Sequence, residues 1–219
     1  MGKLEHVNHV SSATLSIINA EQRAVVDVIT GLADVLSSDV TMSPDGTPLW
    51  AVHKMIDKAT VIDLETRKIV ALLDTRLESN HPKFADFERA TYGLITVAGT
   101  NEAKVYTQNK ASEAPSFVQS ITAGGIEPHG ITASRDGRWL YWVNEHSNTL
   151  DVADLSSLEV TATLPIGQES QALVYVPNAV PSSTGTENLG VLGLNKRVEN
   201  RLIGVTGSES GSASSLREY

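Results

Sequence analysis

Histidine and carboxylate side chains recur at a few kinds of place along this 219-residue chain. His81 stands before Pro82, Glu127 and His129 flank Pro128, and Glu145 and His146 sit inside the polar stretch Asn144 to Asn148. Asn101 and Glu102 form another polar pair, and His53 precedes the stretch Lys54 to Lys58. Imidazole beside carboxylate suits two kinds of chemistry, a divalent metal site or general acid–base work by a group that titrates near neutrality. The candidate metal ligands are His81, His129, His146 and Glu145, and the candidate catalytic groups are His81, His129 and Glu127. A plainer reading stands beside these. Connecting segments are polar in any fold, and Pro128-His129-Gly130 can be turn chemistry with the imidazole hydrogen-bonded to backbone.

Other chemistries find little support. There is no cysteine, so disulfides, thiolate metal sites and a cysteine nucleophile are excluded. Asp45-Gly46 and Asp136-Gly137 lack the alternating oxygen ligands of a calcium loop. Ser43 and Ser134 lie in no nucleophile elbow, and Gly190 to Gly193 has no strand-to-helix context for a phosphate. Trp50, Trp139 and Trp142 read as packing residues rather than a stacking platform. A net charge of −9 disfavours nucleic acid, and basic residues are scattered singly. No apolar run reaches the roughly 18 residues of a membrane span. Met1 to Val10 has no apolar segment of the signal-peptide kind.

The elements that must position the histidines show themselves as a repeat. Asn19, Asp63 and Asp154 each follow an apolar stretch and open a polar turn; the second stands 44 residues after the first, and the third 91 after the second. Ser43-Pro44-Asp45-Gly46 matches Ser134-Arg135-Asp136-Gly137, and Leu49-Trp50-Ala51-Val52 matches Leu140-Tyr141-Trp142-Val143, both at 91. Leu94 to Val97 lies 45 after Leu49, although the Asp-Gly turn before it has become Arg89-Ala90-Thr91. Short runs rich in β-branched and aromatic residues, separated by tight-turn chemistry, read as strands. Four strands per ~45 residues is the blade length of a β-propeller.

The fold expected is therefore all-β, a propeller of four-stranded antiparallel blades, about four to five in number, over residues 1–207. The units are a half blade at 15–31, full blades at 36–74, 81–124 and 127–167, and a fifth at 168–206. This last begins with a strand at Ala172 to Val176 and detours through Pro177 to Glu187; residues 208–219 read as a disordered tail. In such a blade, connections between second and third strands share a rim with connections from blade to blade. His53, His81, Glu127, His129, Glu145 and His146 are all expected on that rim.

Gly124 to Ile131, Tyr141-Trp142-Val143-Asn144-Glu145, Asn148-Thr149-Leu150 and Leu164-Pro165-Ile166-Gly167 together resemble the Tyr-Val-Thr-Asn repeat of the YVTN family. The resemblance spans about Leu15 to Val176 and implies a propeller of secreted or periplasmic type. Relatives include lactonase-like propellers, the haem-d propeller of nitrite reductases and the copper-bearing propeller of nitrous oxide reductase. Such rings have seven blades, about 300 residues at this period. A homo-oligomer completing the ring is one way to close a shorter one. The leading expectation is a module that binds a small-molecule or protein ligand at the histidine-bearing rim. The alternative is a metal-assisted, lactonase-like hydrolase that uses the same rim, with a divalent ion polarising the scissile carbonyl or activating water.

Overall fold

A computed structural model describes residues 3–176 and shows four antiparallel sheets, each a meander of consecutive strands. The first holds β1 (Leu4–Asn8), β2 (Thr14–Asn19) and β3 (Ala24–Thr30); the second β4 (Asp39–Met42), β5 (Pro48–His53), β6 (Lys58–Asp63) and β7 (Lys68–Asp74). The third holds β8 (Ser79–Phe87), β9 (Ala90–Val97), β10 (Glu102–Thr107) and β11 (Ser116–Thr122); the fourth β12 (Pro128–Ala133), β13 (Trp139–Asn144), β14 (Thr149–Asp154) and β15 (Glu159–Pro165). The innermost strands β1, β4, β8 and β12 neighbour one another in that order. The last strand is largely exposed in the first, third and fourth sheets and partly buried in the second.

The repeated residues are the local chemistry of the turns. Asn19 Oδ1 accepts from the amides of Glu21 and Gln22, Asp63 Oδ1 from those of Glu65 and Thr66, and Asp154 Oδ1 from that of Ser156. These side chains mimic a backbone turn and close the hairpin between the last two strands of their sheets. In the third blade Gln108 takes that position, and its amide donates to the carbonyls of Lys110, Ala111 and Glu113. Ser43 and Asp45, and likewise Ser134 and Asp136, bond side chain to side chain at 2.5 Å in the hairpin between first and second strands. Gly46 and Gly137 supply the positive φ there, 79° and 73°.

Middle strands are buried on both faces, which is why they read as continuous apolar runs. Along β5, Leu49 and Ala51 pack on Leu15 and Ile17 of the first blade, while Trp50 and Val52 pack on Phe84, Ile95 and Val97 of the third. Leu94 then turns to the other side of the third blade, with Leu140 and Trp142 of the fourth. Trp50 is the centre of the second-to-third interface. Its ring meets Phe84 and Tyr106 edge-on, centroids 5.0 and 5.6 Å away, and its indole N–H donates to Gln108 at 2.8 Å.

Two expectations are corrected. The first unit is not a half blade, because Leu4–Asn8 adds a third strand paired with β2. Its polar alternation, Glu5, His6 and Asn8 among Leu4 and Val7, hides it. Residues Ala172 to Val176 form no strand, although the Gly130 amide donates to the Gln171 carbonyl at 3.0 Å. The remainder of the expected fifth unit and the tail at 208–219 lie outside the described residues.

Candidate functional site

The starts of consecutive innermost strands each contribute one polar side chain to a hydrogen-bonded row. Asp39 opens β4, His81 lies near the start of β8, and His129 near the start of β12. Asp39 Oδ2 is 2.7 Å from His81 Nδ1, and His81 Nε2 is 3.0 Å from His129 Nδ1. His129 Nδ1 is also 3.0 Å from the carbonyl of Gln171, where the chain has left the fourth blade. Innermost strands do not pair with each other through backbone, so side chains join them. Asn80 donates to the Pro128 carbonyl, and Thr96 donates to the His129 carbonyl at 2.6 Å.

The hydrogen-bond pattern fixes the protons. The Asp39 carboxylate accepts the His81 Nδ1 proton, so neutral His81 offers a bare Nε2 as acceptor. His129 Nδ1–H then donates towards both His81 Nε2 and the Gln171 carbonyl. That leaves His129 Nε2 without a proton, 3.7 Å from Glu145 Oε2. Burial lowers the His129 pKa and outweighs the bond to the Gln171 carbonyl, which raises it, and this favours the neutral form. Glu145 Oε1 is already held by the Gln171 amide at 2.8 Å. Two acceptors, His129 Nε2 and Glu145 Oε2, therefore face each other across a gap too long for a direct hydrogen bond. Their side chains are only 11% and 13% exposed, so bulk water serves them poorly.

The other expected residues fall differently. Glu127 and His146 pair with each other, Oε2 to Nδ1 at 2.6 Å, with His146 mostly exposed. Glu127 has a φ of 63°, a strained value for a residue with a side chain, and is pinned there on both sides. Its amide donates to Asn101 Oδ1, and its carbonyl accepts from the Glu145 amide. Asn101 and Asn148, both left-handed at φ 55°, have the same role: each holds the backbone of the following connection with its Oδ1. His53 does not reach the rim. It ends β5 fully buried, bonded through Nε2 to Thr60 at 2.8 Å, and burial lowers its pKa.

For a divalent ion the fit fails. His81 has both ring nitrogens engaged, and His146 turns to Glu127 instead of joining His129 and Glu145. Among the described residues no group of three or more histidine or carboxylate side chains is placed to hold a metal. Two participants escaped the sequence reading, Asp39 and Gln171. The signal was their repeat position: Asp39, His81, His129 and Gln171 follow one another at 42, 48 and 42 residues.

No family model matches the chain, and no curated protein matches it. Solved structures do. Hydrazine synthase of Kuenenia stuttgartiensis aligns with a TM-score of 0.69 at 19% identity, over 81% of this chain and 50% of that one. The Cps50 (Swd1) β-propeller domain of Myceliophteria thermophila aligns with a TM-score of 0.67 at 12% identity, over 80% and 56%. The fold is a β-propeller. A protein of unknown function from Desulfotomaculum acetoxidans is similar to the same degree, TM-score 0.69 at 15% identity, over 80% and 56%. The chain spans about half the length of these structures. Four consecutive blades of a partial propeller are described, within the four to five that the repeat leads one to expect.

Proposed function

We propose that this chain is a binding propeller module whose rim takes a small-molecule or protein ligand bearing a hydrogen-bond donor, an amino or hydroxyl group. The observation that carries the reading is the pair of unreconciled acceptors, His129 Nε2 and Glu145 Oε2, 3.7 Å apart on largely buried side chains. A donor seated between them satisfies both, while an acceptor-only ligand meets two lone pairs. The row Asp39–His81–His129 holds the imidazole in the required tautomer, and Gln171 holds the carboxylate. The YVTN-like motif and a secreted or periplasmic setting belong to the same reading. Metal-assisted hydrolysis of a lactone or ester is the less favoured one, since the donor set does not converge.

Ring resonances of His129, followed by NMR, test it with three simple probes: ethanolamine, ethylene glycol and acetate. Ethanolamine and ethylene glycol should shift the His129 ring at millimolar concentration, and Glu145→Gln should abolish the response to ethanolamine. Acetate acting as strongly as ethanolamine, or no probe reaching His129, overturns the proposal.

A further inference from the structure

The row that prepares the acceptor pair can also abolish it. Asp39 Oδ2, the two ring nitrogens of His81 and Nδ1 of His129 follow one another at 2.7 and 3.0 Å, and the row ends on His129 Nε2, 3.7 Å from Glu145 Oε2. In the neutral row each ring proton is committed, and only that last nitrogen shows a lone pair to a carboxylate. One added proton has two ways in. Taken up by His129, it sits on Nε2 directly. Taken up by His81, it sits on His81 Nε2 and points at the His129 Nδ1 proton. Two donors cannot share that 3.0 Å contact, so His129 changes tautomer, accepting at Nδ1 and carrying its proton on Nε2. The second form leaves the Gln171 carbonyl, 3.0 Å from Nδ1, without its donor, which favours the first. Both routes end with an N–H at His129 Nε2 aimed at Glu145.

We propose that proton and ligand compete for His129 Nε2, so that acidification closes the rim site and expels a ligand amine; this rests on the rim reading above. The protonated pair satisfies itself. Imidazolium and carboxylate attract, and an approach of about 1 Å brings Nε2 and Oε2 to the length of a charge-assisted hydrogen bond. A ligand ammonium then meets a cation where it had a lone pair, and finds its counter-charge on Glu145 taken. Both side chains are largely buried, so solvent screens neither effect strongly. The charged and titratable groups that face His129 are His81 of β8 with Asp39 of β4 behind it, Glu145 just after β13, and Lys54 in the hairpin after β5. Burial is the largest influence on its pKa and lowers it; the Gln171 carbonyl raises it, His81 and Lys54 lower it, and Glu145 raises it, for a net direction downward. A lowered pKa keeps His129 neutral near pH 7, so the site is open there and closes below about pH 6.5.

Ethanolamine is the probe, because a primary amine keeps its own charge throughout the acid range. NMR of the His129 ring in the full chain reports its affinity and the protonation of the imidazole together. The affinity should be level above about pH 7 and weaken by about threefold or more by about pH 5. Reciprocally, ethanolamine at about ten times its Kd should move the His129 titration midpoint down by about one pH unit. The indole resonances of Trp50 and Trp142 should stay in place, which separates closure of the site from unfolding. Affinity that is level across the whole range overturns the proposal while the rim reading stands, as does a midpoint that ethanolamine leaves unmoved. Loss of binding that comes only with loss of the indole resonances overturns it as well. No response of His129 at neutral pH overturns the rim reading, and this competition with it.

Discussion

Adding one methyl group at Gly93 should destabilise the fold, because Trp50 already occupies the space. A Cβ built there lies 2.1 Å from Trp50 Cη2 and 2.6 Å from Cζ2 and Cζ3, against about 3.5–4.0 Å for carbons in contact. The indole cannot simply withdraw, since Phe84 and Tyr106 flank it and its N–H is bonded to Gln108. Overpacking of this kind costs about 1–3 kcal/mol, and losing the buried bond to Gln108 adds about 1 kcal/mol or more. The usual gain from replacing a strand glycine by alanine, about 0.5–1 kcal/mol, offsets part of this. Gly93→Ala should therefore lose about 1–3 kcal/mol. Trp50→Phe removes the ring atoms that the new methyl would strike, but leaves a cavity and an unpaired Gln108 oxygen, for about 2–3 kcal/mol. In the double variant the methyl fills space that the smaller ring vacates, so the combined loss should fall short of the sum by about 1–2 kcal/mol. Urea unfolding followed by circular dichroism measures all four proteins, and the coupling is the readout. Losses that add to within about 0.5 kcal/mol would refute the reasoning, and so would a Gly93→Ala midpoint equal to the parent's.

Further outcomes follow from the turns and the buried imidazoles. Gly46→Ala and Gly137→Ala share a left-handed φ, but the first meets nothing within 4 Å, while the second puts its methyl 1.9 Å from the Asp86 carbonyl oxygen of the third blade. The first should cost about 1 kcal/mol and the second at least about 2 kcal/mol more, read as denaturation midpoints; equal losses would remove Asp86 from the account. Burial lowers the pKa values of His129, His53 and His6 in the folded chain, so the unfolded chain binds more protons as pH falls below about 6.5. Stability should be complete above that pH and decline between pH 6.5 and 5, and His129→Gln should flatten part of the decline in urea midpoints. Glu127→Gln should loosen the His146 ring while leaving the His129 ring resonances in place, because the two pairs are held separately; coincident shifts would show them to be one unit.

The hairpins, the blade period and most strand positions, though not the strand at Leu4–Asn8, were legible in the residues alone, because their causes are local. An Asx turn at Asn19, Asp63 and Asp154 and a left-handed glycine at Gly46 and Gly137 act within a few residues of themselves. Alternate sides of one strand facing different blades produce the unbroken apolar runs at Leu49 to Val52 and Leu140 to Val143. His81 and His129 could be named for the same reason, as polar residues at the mouths of strands. Their use could not. Asp39 matters only because the second blade lies beside the third, and Gln171 only because the chain returns across the fourth. His53 shows the converse: its place in the sequence pointed to the rim, and packing of β5 between two blades took it into the interior. The sequence by itself set the repeat, since short-range hydrogen bonds and side-chain alternation write it. The tertiary structure decided which polar groups face each other and which pair of acceptors is left wanting a donor, since those contacts join residues some 40 to 50 positions apart.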